Sequence, residues 1–295
     1  MFESDKVKYF SYQLAIQKAL EAKKSQKDSI QLAVVGAGRG PIVDCAIRAG
    51  AKHIFVIEKN PNAFKLLQLR KEKEWPSTVE IFLGDMRTIQ LPREVDILVS
   101  ELLGGFGDNE LSPECIEGCE RFLSSDSISI PQKYTSYIVP LMSQNLWCKS
   151  FHEGKLQQML VTPLKTSILL SSPQPFLEFS HPGHNEKYKK KEFSFTIAAT
   201  GELSGFGGWF ETVLFDDVIL STSPYNGTQN LESWLPVYFP INRQINVTEG
   251  EVLKAIFARR TDNKKVWYEW AVMSPKILPM QNGGGSFFSF DIGLE

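Results

Sequence analysis

Hydrophobic positions follow different periods in the two halves of the chain. In the first half, short β-branched and aliphatic runs alternate with stretches whose apolar residues recur at helical spacing. The runs are typical of buried parallel strands, and they cover residues 32–36, 53–58, 79–85 and 95–101. Helices are predicted near residues 41–50, 61–74 and 112–123. This alternation predicts an α/β domain with a doubly wound parallel sheet.

Helix boundaries in this half are indicated by capping and breaking residues. Ser112 is a candidate N-cap with Pro113 in the first turn, and Pro76 should end the helix before it. Ahead of the first strand, an amphipathic helix is predicted from apolar positions at helical spacing. These positions are Tyr9, Tyr12, Ile16, Ala19 and Leu20.

The second half loses the helical period. Runs rich in β-branched and aromatic residues are separated by turn signals, which predicts an antiparallel barrel or sandwich. The predicted strands cover residues 192–198, 210–215, 217–221, 252–259 and 266–272, and residues 181–191 are predicted to form a polar loop. We place the boundary near Ile130-Pro131. The prediction is therefore a first domain over 1–130 and a β-barrel domain over 131–295.

Composition narrows the classes of function. The chain has 295 residues, 42% hydrophobic and 22% charged, with a formal charge of −2. This lack of a basic field argues against direct nucleic-acid binding, and no apolar run approaches the roughly 20 residues that span a bilayer. The charged N-terminus lacks a signal-peptide core, and four cysteines suit buried thiols in a reducing cytosol. His181 and His184 have no third ligand nearby, so no metal site is predicted.

A glycine-rich loop follows the first strand. Gly36, Gly38 and Gly40 allow a sharp turn into a helix and a close approach of ligand to backbone. A dinucleotide motif would have a further glycine where this chain has Pro41. Glu58 ends the next strand, where a carboxylate accepts ribose hydroxyls. The loop therefore predicts a nucleoside site without a pyrophosphate cradle, which favours S-adenosylmethionine over NAD.

The third strand ends in a second set of candidate ligands. Asp85 can accept a hydrogen bond from the exocyclic amine of an adenine, and the Met86 backbone can form a hydrogen bond with the edge of the adenine ring. Each strand-end acid alone has a plain alternative as a helix cap. Three such features in register favour a cofactor site.

Two glutamates follow the fourth strand. Glu101 ends the strand, and three glycines within residues 104–107 let the chain fold back towards Glu110. Two neighbouring carboxylates repel each other unless a cation lies between them. A planar guanidinium can donate two parallel hydrogen bonds to a carboxylate, which makes it a suitable cation. This pattern predicts an arginine side chain as methyl acceptor. A solvated loop, a metal pair and a glycosidase-like acid/base pair are the alternatives.

At this point the chain resembles the type II, symmetric-dimethylating protein arginine methyltransferases. The double-glutamate segment SELLGGFGDNELSPEC (100–115) is highly specific to that family. The other matching segments are VVGAGRGP (34–41), EKNPNA (58–63), GDMR (84–87), SIPQKYTSY (129–137), SPQPFLEFSHP (172–182), GFGGWFETVLF (205–215) and KKVWYEWAV (264–272). The resemblance implies a Rossmann-like methyltransferase domain followed by a β-barrel.

The resemblance also implies roles for individual residues. Glu101 and Glu110 would hold the guanidinium, and Trp234 would stack on it, with Tyr12 as a second candidate wall. Leu102 and Ser233 are further candidates for substrate binding. The implied cofactor contacts are Tyr9, Lys18, Gly36, Glu58, Asp85 and Met86.

Two departures from the family pattern affect the product and the partners. Animal members have an aromatic residue after the tryptophan, whereas this chain has Leu235, so monomethyl-arginine is expected beside a symmetric product. The family's usual N-terminal TIM barrel, which docks a WD-repeat partner, precedes none of these motifs here, and that partner is not expected.

The resemblance implies partners and a location as well. The implied substrates are proteins with Gly/Arg-rich segments, such as histones or RNA-binding proteins. A homo-oligomer in the cytoplasm or nucleus is expected. A NAD-type oxidoreductase and a non-catalytic binding module remain alternative functions.

Overall fold

The computed structural model describes residues 5–25, 29–262 and 264–293. The first half alternates strands and helices, as the hydrophobic pattern predicts. Its elements are α1 (Lys6–Lys24), β1 (Gln31–Val35), α2 (Pro41–Arg48), β2 (His53–Glu58), α3 (Pro61–Lys73), β3 (Val79–Leu83), β4 (Val95–Ser100), α4 (Ser112–Cys119) and β5 (Leu123–Ile130). None of the helices within these described ranges is long and apolar enough to span a membrane.

Five parallel strands form one sheet in the order β3-β2-β1-β4-β5. Strands β1 and β4 are buried along their whole length, as expected for β-branched runs covered on both faces. The chain leaves β1 in one direction through β2 and β3 and then returns to β4 on the other side. The carboxyl ends of β1 and β4 therefore border the switch point, where open α/β sheets bind ligands.

Helix ends are set by local chemistry. Asp5 caps α1, accepting a 3.0 Å hydrogen bond from the backbone N–H of Lys8. Asn60 caps α3, which ends at Lys73 before Pro76, in agreement with the sequence. The capping prediction for α4 is wrong. Its cap position is Leu111 with a left-handed φ of 65°, and Ser112 is already inside the helix.

The second half consists largely of antiparallel strands. Its elements are β6 (Lys133–Met142), α5 (Gln144–His152), β7 (Leu160–Val161), β8 (Ile168–Leu169), β9 (Gln174–Ser180), β10 (Lys189–Thr196), β11 (Gly201–Phe215), β12 (Val218–Ser221), β13 (Val237–Val247), β14 (Val252–Thr261), β15 (Lys265–Ser274) and β16 (Phe290–Asp291).

These strands form two sheets. One has the order β10-β14-β15-β16 and the other β7-β13-β11-β6-β8, with β12 added to β11 and β9 added to β6. Among the described residues the pairings do not show a closed barrel, so the barrel closure expected from the resemblance is not seen. The predicted polar loop is also too long, because Lys189–Lys191 already pair with β14.

An aromatic core joins the second half to the loop that follows β4. Phe106, in that loop, packs edge-on against Phe239 at 5.2 Å and Tyr268 at 5.5 Å between ring centroids. Phe257 makes edge contacts with Phe239 and with three further phenylalanines of this core. Edge-to-face packing at these distances stabilises the arrangement beyond simple burial. The loop is therefore fixed by the antiparallel half.

Candidate active site

A cavity of about 270 Å³ lies at the carboxyl edge of the parallel sheet. It brings together residues that the sequence analysis assigns to both cofactor and substrate. These are Gly36, Glu58, Asp85, Met86, Leu102 and Glu110. Larger clefts lie on α3 and along residues 221–236, but neither is lined by Glu110.

The three loop glycines have different reasons to be glycine. All have a positive φ: 65° for Gly36, 54° for Gly38 and 92° for Gly40. A Cβ on Gly36 would lie 3.1 Å from the Leu102 side chain, so glycine is needed to keep the space beside Leu102 free. A Cβ on Gly40 would lie 2.8 Å from the Trp75 ring. Gly40 therefore serves helix packing, and the structure does not bring it to the cavity.

Glu58 is buried at the end of β2 and lines the cavity. Its two carboxylate oxygens accept hydrogen bonds of 2.7 Å from the backbone N–H groups of Gly38 and Asn60. These bonds fix the carboxylate between the glycine loop and the start of α3. Each oxygen retains acceptor capacity for a further donor.

Asp85 is held by the neighbouring Arg87. The guanidinium donates to both carboxylate oxygens, at 2.8 Å from Nε and 2.5 Å from Nη2, and lowers the pKa of Asp85. Arg87 also donates to the carbonyls of Ile292 and Gly293, at 2.7 and 2.6 Å. The end of the described chain therefore borders the same cavity, a contact that no sequence motif indicates.

Glu101 lies directly after β4 and is oriented from two sides. Its Oε1 accepts a 3.2 Å hydrogen bond from the indole Nε1 of Trp234 and lies 3.4 Å from the Lys8 ammonium. Burial raises the pKa of Glu101, while Lys8 and Trp234 oppose the shift. The indole is 6% exposed and packs edge-on against Phe210.

Glu110 ends a short 3-10 turn that begins at Asp108. Desolvation and then the negative charge of Glu101 raise the pKa of Glu110 to about 7, against the effect of Lys8. Part of the Glu110 side chain faces solvent in the cavity, which screens these interactions. The two glutamates therefore interact electrostatically, as the sequence predicts for a paired site.

The loop between them is held by its own backbone and by the antiparallel half. Gly104 and Gly107 exchange 3.0 Å backbone hydrogen bonds, and Asn109 accepts a 2.7 Å bond from the Phe106 N–H. Ser136 of β6 donates a 2.6 Å bond to the Phe106 carbonyl. At Gly105 a Cβ would collide with the Leu235 carbonyl, so glycine permits this close approach.

A buried arginine fixes the segment on both sides of Glu110. Arg259 of β14 is 0% exposed and donates from Nε to Asp108 at 2.5 Å and from Nη2 to both oxygens of Glu114 at 2.9 and 3.0 Å. Its Nη1 donates to the Lys187 carbonyl at 2.7 Å. The sequence analysis missed this residue, because its carboxylate partners lie 151 and 145 positions away and no spacing rule connects them.

Asp5 is a second positioning residue that the sequence analysis missed. While one carboxylate oxygen caps α1, the other accepts from Ser233 Oγ at 2.7 Å and from the N–H groups of Ser233 and Glu232 at 2.8 and 2.9 Å. Burial alone would raise its pKa, but these hydrogen bonds lower it. Ser233 therefore ties the Trp234 segment to α1.

Three predicted residues on α1 occupy different environments. Tyr12 is fully buried and donates a 3.0 Å hydrogen bond to the Ser100 carbonyl, so it supports the base of the site rather than forming an open wall. Tyr9 lies against the Lys8 ammonium. Lys18 pairs with Asp216 and Asp217 at 2.8 and 2.6 Å, and the structure does not bring it to the cavity.

The sheet order, the cavity at the switch point and the paired glutamates define a class of protein: the fold is that of a protein arginine methyltransferase. A solved structure of PRMT1 from Trypanosoma brucei, in an enzyme–prozyme heterotetrameric complex with AdoHcy, matches with a TM-score of 0.76. The match is 19% identical and covers 97% of this chain and 95% of that one.

The family models are more specific. The model described as PRMT5 arginine-N-methyltransferase matches residues 1–130, and that of the PRMT5 oligomerisation domain matches residues 133–289. The chain therefore belongs to the PRMT5 family, which confirms the predicted resemblance.

Two relatives show how much of the family protein this chain represents. It is 40% identical to protein arginine N-methyltransferase 5 of Xenopus laevis, with 100% of this chain and 49% of the relative covered. It is 38% identical to protein arginine N-methyltransferase skb1 of Schizosaccharomyces pombe, with 96% and 49% covered. The chain thus spans about half the length of these curated relatives.

Proposed function

We propose that this chain transfers methyl groups from S-adenosylmethionine to the guanidinium nitrogens of arginine residues in proteins. The observation that carries the proposal is the acid pair. Glu101 leaves β4 at the switch point with the Trp234 indole bonded to it, and Glu110 lines the same cavity as Glu58. Membership of the PRMT5 arginine-N-methyltransferase family supports the same reaction.

The residues of the cavity fit this cofactor. Glu58 would hold the ribose hydroxyls, Asp85 and Met86 would hold the adenine, and the missing Cβ of Gly36 leaves room for the ligand beside Leu102. When bound, S-adenosylmethionine supplies an electrophilic methyl group on its sulfonium, and S-adenosylhomocysteine remains after transfer. The trypanosomal PRMT1 structure is a complex with AdoHcy, which supports this choice.

The two glutamates would bind and orient the substrate guanidinium. Both carboxylates can pair with its N–H groups, and this keeps the positive charge on the nitrogens that the glutamates bind. The remaining terminal nitrogen then faces the cofactor, and fixed orientation supplies much of the rate enhancement. The indole of Trp234 offers a face to the cation, an interaction worth about 0.5–2 kcal/mol.

We propose that the product includes monomethyl-arginine and symmetric dimethyl-arginine. Leu235 is 39% exposed and lines the cleft beside Trp234, so it faces the approach to the site rather than the core. An aliphatic side chain there leaves more space than an aromatic ring. That space would influence how a monomethylated guanidinium rebinds.

Substrate class, assembly and location are also proposals. Gly/Arg-rich segments of histones or RNA-binding proteins suit a narrow acidic pocket. The match to an oligomerisation domain, together with the heterotetrameric complex of the trypanosomal protein, supports an oligomer. We propose a homo-oligomer in the cytoplasm or nucleus.

The test is mass spectrometry of a Gly-Arg-rich peptide after incubation of the chain with S-adenosylmethionine. We expect added methyl groups on arginine only. Glu101→Gln should abolish most methyl transfer, because the acid pair that binds the guanidinium loses one negative charge. The affinity for S-adenosylhomocysteine should stay nearly intact. Glu94→Gln, an exposed acid before β4, is the matched control. Normal turnover by Glu101→Gln would show that this carboxylate does not bind the substrate guanidinium.

A further inference from the structure

One carboxylate at the start of α1 binds two distant parts of the chain at once. Asp5 is 0% exposed, and one of its oxygens accepts the 3.0 Å bond from the Lys8 N–H that caps the helix. The other oxygen accepts from the hydroxyl of Ser233 at 2.7 Å and from the backbone N–H groups of Ser233 and Glu232 at 2.8 and 2.9 Å. These charge-assisted bonds compensate for the burial of the carboxylate.

The segment that Asp5 binds leads directly into the indole of the candidate arginine subsite. Residues 231–236 belong to no helix or strand, so no ladder of backbone hydrogen bonds fixes them. Trp234 follows Ser233, and its Nε1 donates the 3.2 Å bond to Glu101. Because Asp5 binds two consecutive backbone N–H groups just before Trp234, it fixes the direction in which the chain reaches the indole.

We propose that Asp5 is a positioning residue for arginine binding that acts through Trp234. This inference rests on the proposed function, in which the indole face lies against the target guanidinium. A cation–π interaction requires the cation to lie over the ring, within about 6 Å of its centroid. A shift of the segment would displace both the ring face and the Nε1 bond that orients Glu101. Asp5 contributes to arginine binding in this way although it does not line the cavity.

The two bonds of Asp5 can be separated by substitution. A serine caps a helix about as well as an aspartate does, so capping alone does not require a charge at this position. A serine offers a single oxygen, which can accept from the Lys8 N–H but leaves the donors of Glu232 and Ser233 without their acceptor. Asp5→Ser therefore keeps the helix cap and removes the bonds to the Trp234 segment.

The first test measures binding of acetyl-GGRGGRGG-amide by calorimetry in the presence of S-adenosylhomocysteine. If the released segment occupies its binding position for about a tenth of the time, Asp5→Ser should raise the peptide Kd about tenfold. Its affinity for S-adenosylhomocysteine should stay within about twofold of wild type, because the cap of α1 is kept. Glu21→Gln removes an exposed acid from the same helix and should change neither affinity.

A double variant shows whether Asp5 acts through the indole. Trp234→Leu should by itself raise the peptide Kd, because the ring face is lost. Adding Asp5→Ser to this variant should change the Kd by less than about twofold, since the side chain that Asp5 positions is no longer present. If the effects of the two changes multiply, the contribution of Asp5 does not pass through Trp234, and the inference is wrong.

Hydrogen exchange of the wild-type chain needs no variant to fold. Mass spectrometry with electron-transfer fragmentation follows exchange at single residues. The amides of Glu232 and Ser233 should exchange at least about a hundredfold more slowly than in an unstructured peptide, because both donate to a buried carboxylate. Exchange of both amides at the unstructured rate would show that Asp5 does not hold this segment and would overturn the inference.

The outcomes separate this inference from the proposed function. Methylation of the peptide by wild type, together with a Kd for Asp5→Ser within about twofold of the wild-type value, would overturn the inference alone. Failure of the wild-type chain to bind or methylate the arginine peptide would overturn the proposed function, and the inference with it.

Discussion

Arg259→Met tests how the segment around Glu110 is held. The guanidinium is fully buried and donates three hydrogen bonds to Asp108 and Glu114, which lie on either side of Glu110. Removing one partner of a buried ion pair costs about 3–5 kcal/mol, because the other charge stays buried without compensation. We expect a loss of this size in the free energy of unfolding at pH 8, and a lower kcat because Glu110 loses its support.

The loss should depend on pH. Burial raises the pKa of Asp108 above its ordinary value, and Arg259 opposes that shift, so its removal raises the pKa further. A folded state that binds protons more readily than the unfolded state gains stability as the pH falls. Arg259→Met should therefore lose less stability at pH 6 than at pH 8.

Urea unfolding followed by tryptophan fluorescence measures these differences. Arg243→Met, at an exposed position of β13, is the control and should change stability by less than about 0.5 kcal/mol. The double variant Arg259→Met/Asp108→Asn should lose less than the sum of the single variants, since no charge then remains at position 108. A loss below about 1 kcal/mol for Arg259→Met at pH 8 would refute the reasoning.

Three further predictions concern ligands and product. Glu58→Ala should weaken S-adenosylhomocysteine by about 1.5–3 kcal/mol, as a charged acceptor is lost, and unchanged calorimetric affinity would remove Glu58 from the site. Arginine-peptide affinity should be about tenfold weaker at pH 6 than at pH 8, because a pKa of about 7 leaves Glu110 mostly protonated at the lower pH. Equal affinities would contradict its role as an ionised ligand. Leu235→Phe should change the ratio of monomethyl- to symmetric dimethyl-arginine in fragmentation spectra, and an unchanged ratio in the folded variant would exclude Leu235.

The parallel half was predictable because its signals are local. Buried β-branched runs, a glycine loop and proline-terminated helices fix β1 to β4 and α2 to α4 to within a few residues of the observed ends. The position of Glu101 follows from the same reasoning, since a residue after β4 must lie at the ligand-binding edge.

The antiparallel half was only partly predictable. Strands β6 and β13 escaped the sequence analysis because Pro140 and Pro240 interrupt their apolar patterns, and proline usually marks strand edges or bulges. Helix α5 has a short apolar pattern that is difficult to distinguish from a strand. Closure of the sheets depends on pairings between strands that are distant in sequence, which period alone does not determine.

The polar contacts that position the site leave no trace in any local pattern. Asp5 reaches Ser233 and Arg259 reaches Asp108 across 228 and 151 positions of sequence. Lys8 resembles any other lysine of a polar helix in the sequence, although it is completely buried in the fold. Charged residues with no periodic reason to be buried can be recognised as functional only from the structure.

These contacts make the acid pair a product of both halves of the chain. Glu101 directly follows β4, but the Trp234 indole that is hydrogen-bonded to it comes from the antiparallel half. Ser136 and Arg259, which fix the loop leading to Glu110, also come from that half. Two carboxylates near one another repel and would separate on a free loop. The second half therefore holds together charges that the first half alone would not keep in place. The cavity beside the acid pair, in contrast, is lined mostly by residues of the first half, so under the proposed function cofactor binding would depend mainly on that half and arginine binding on both.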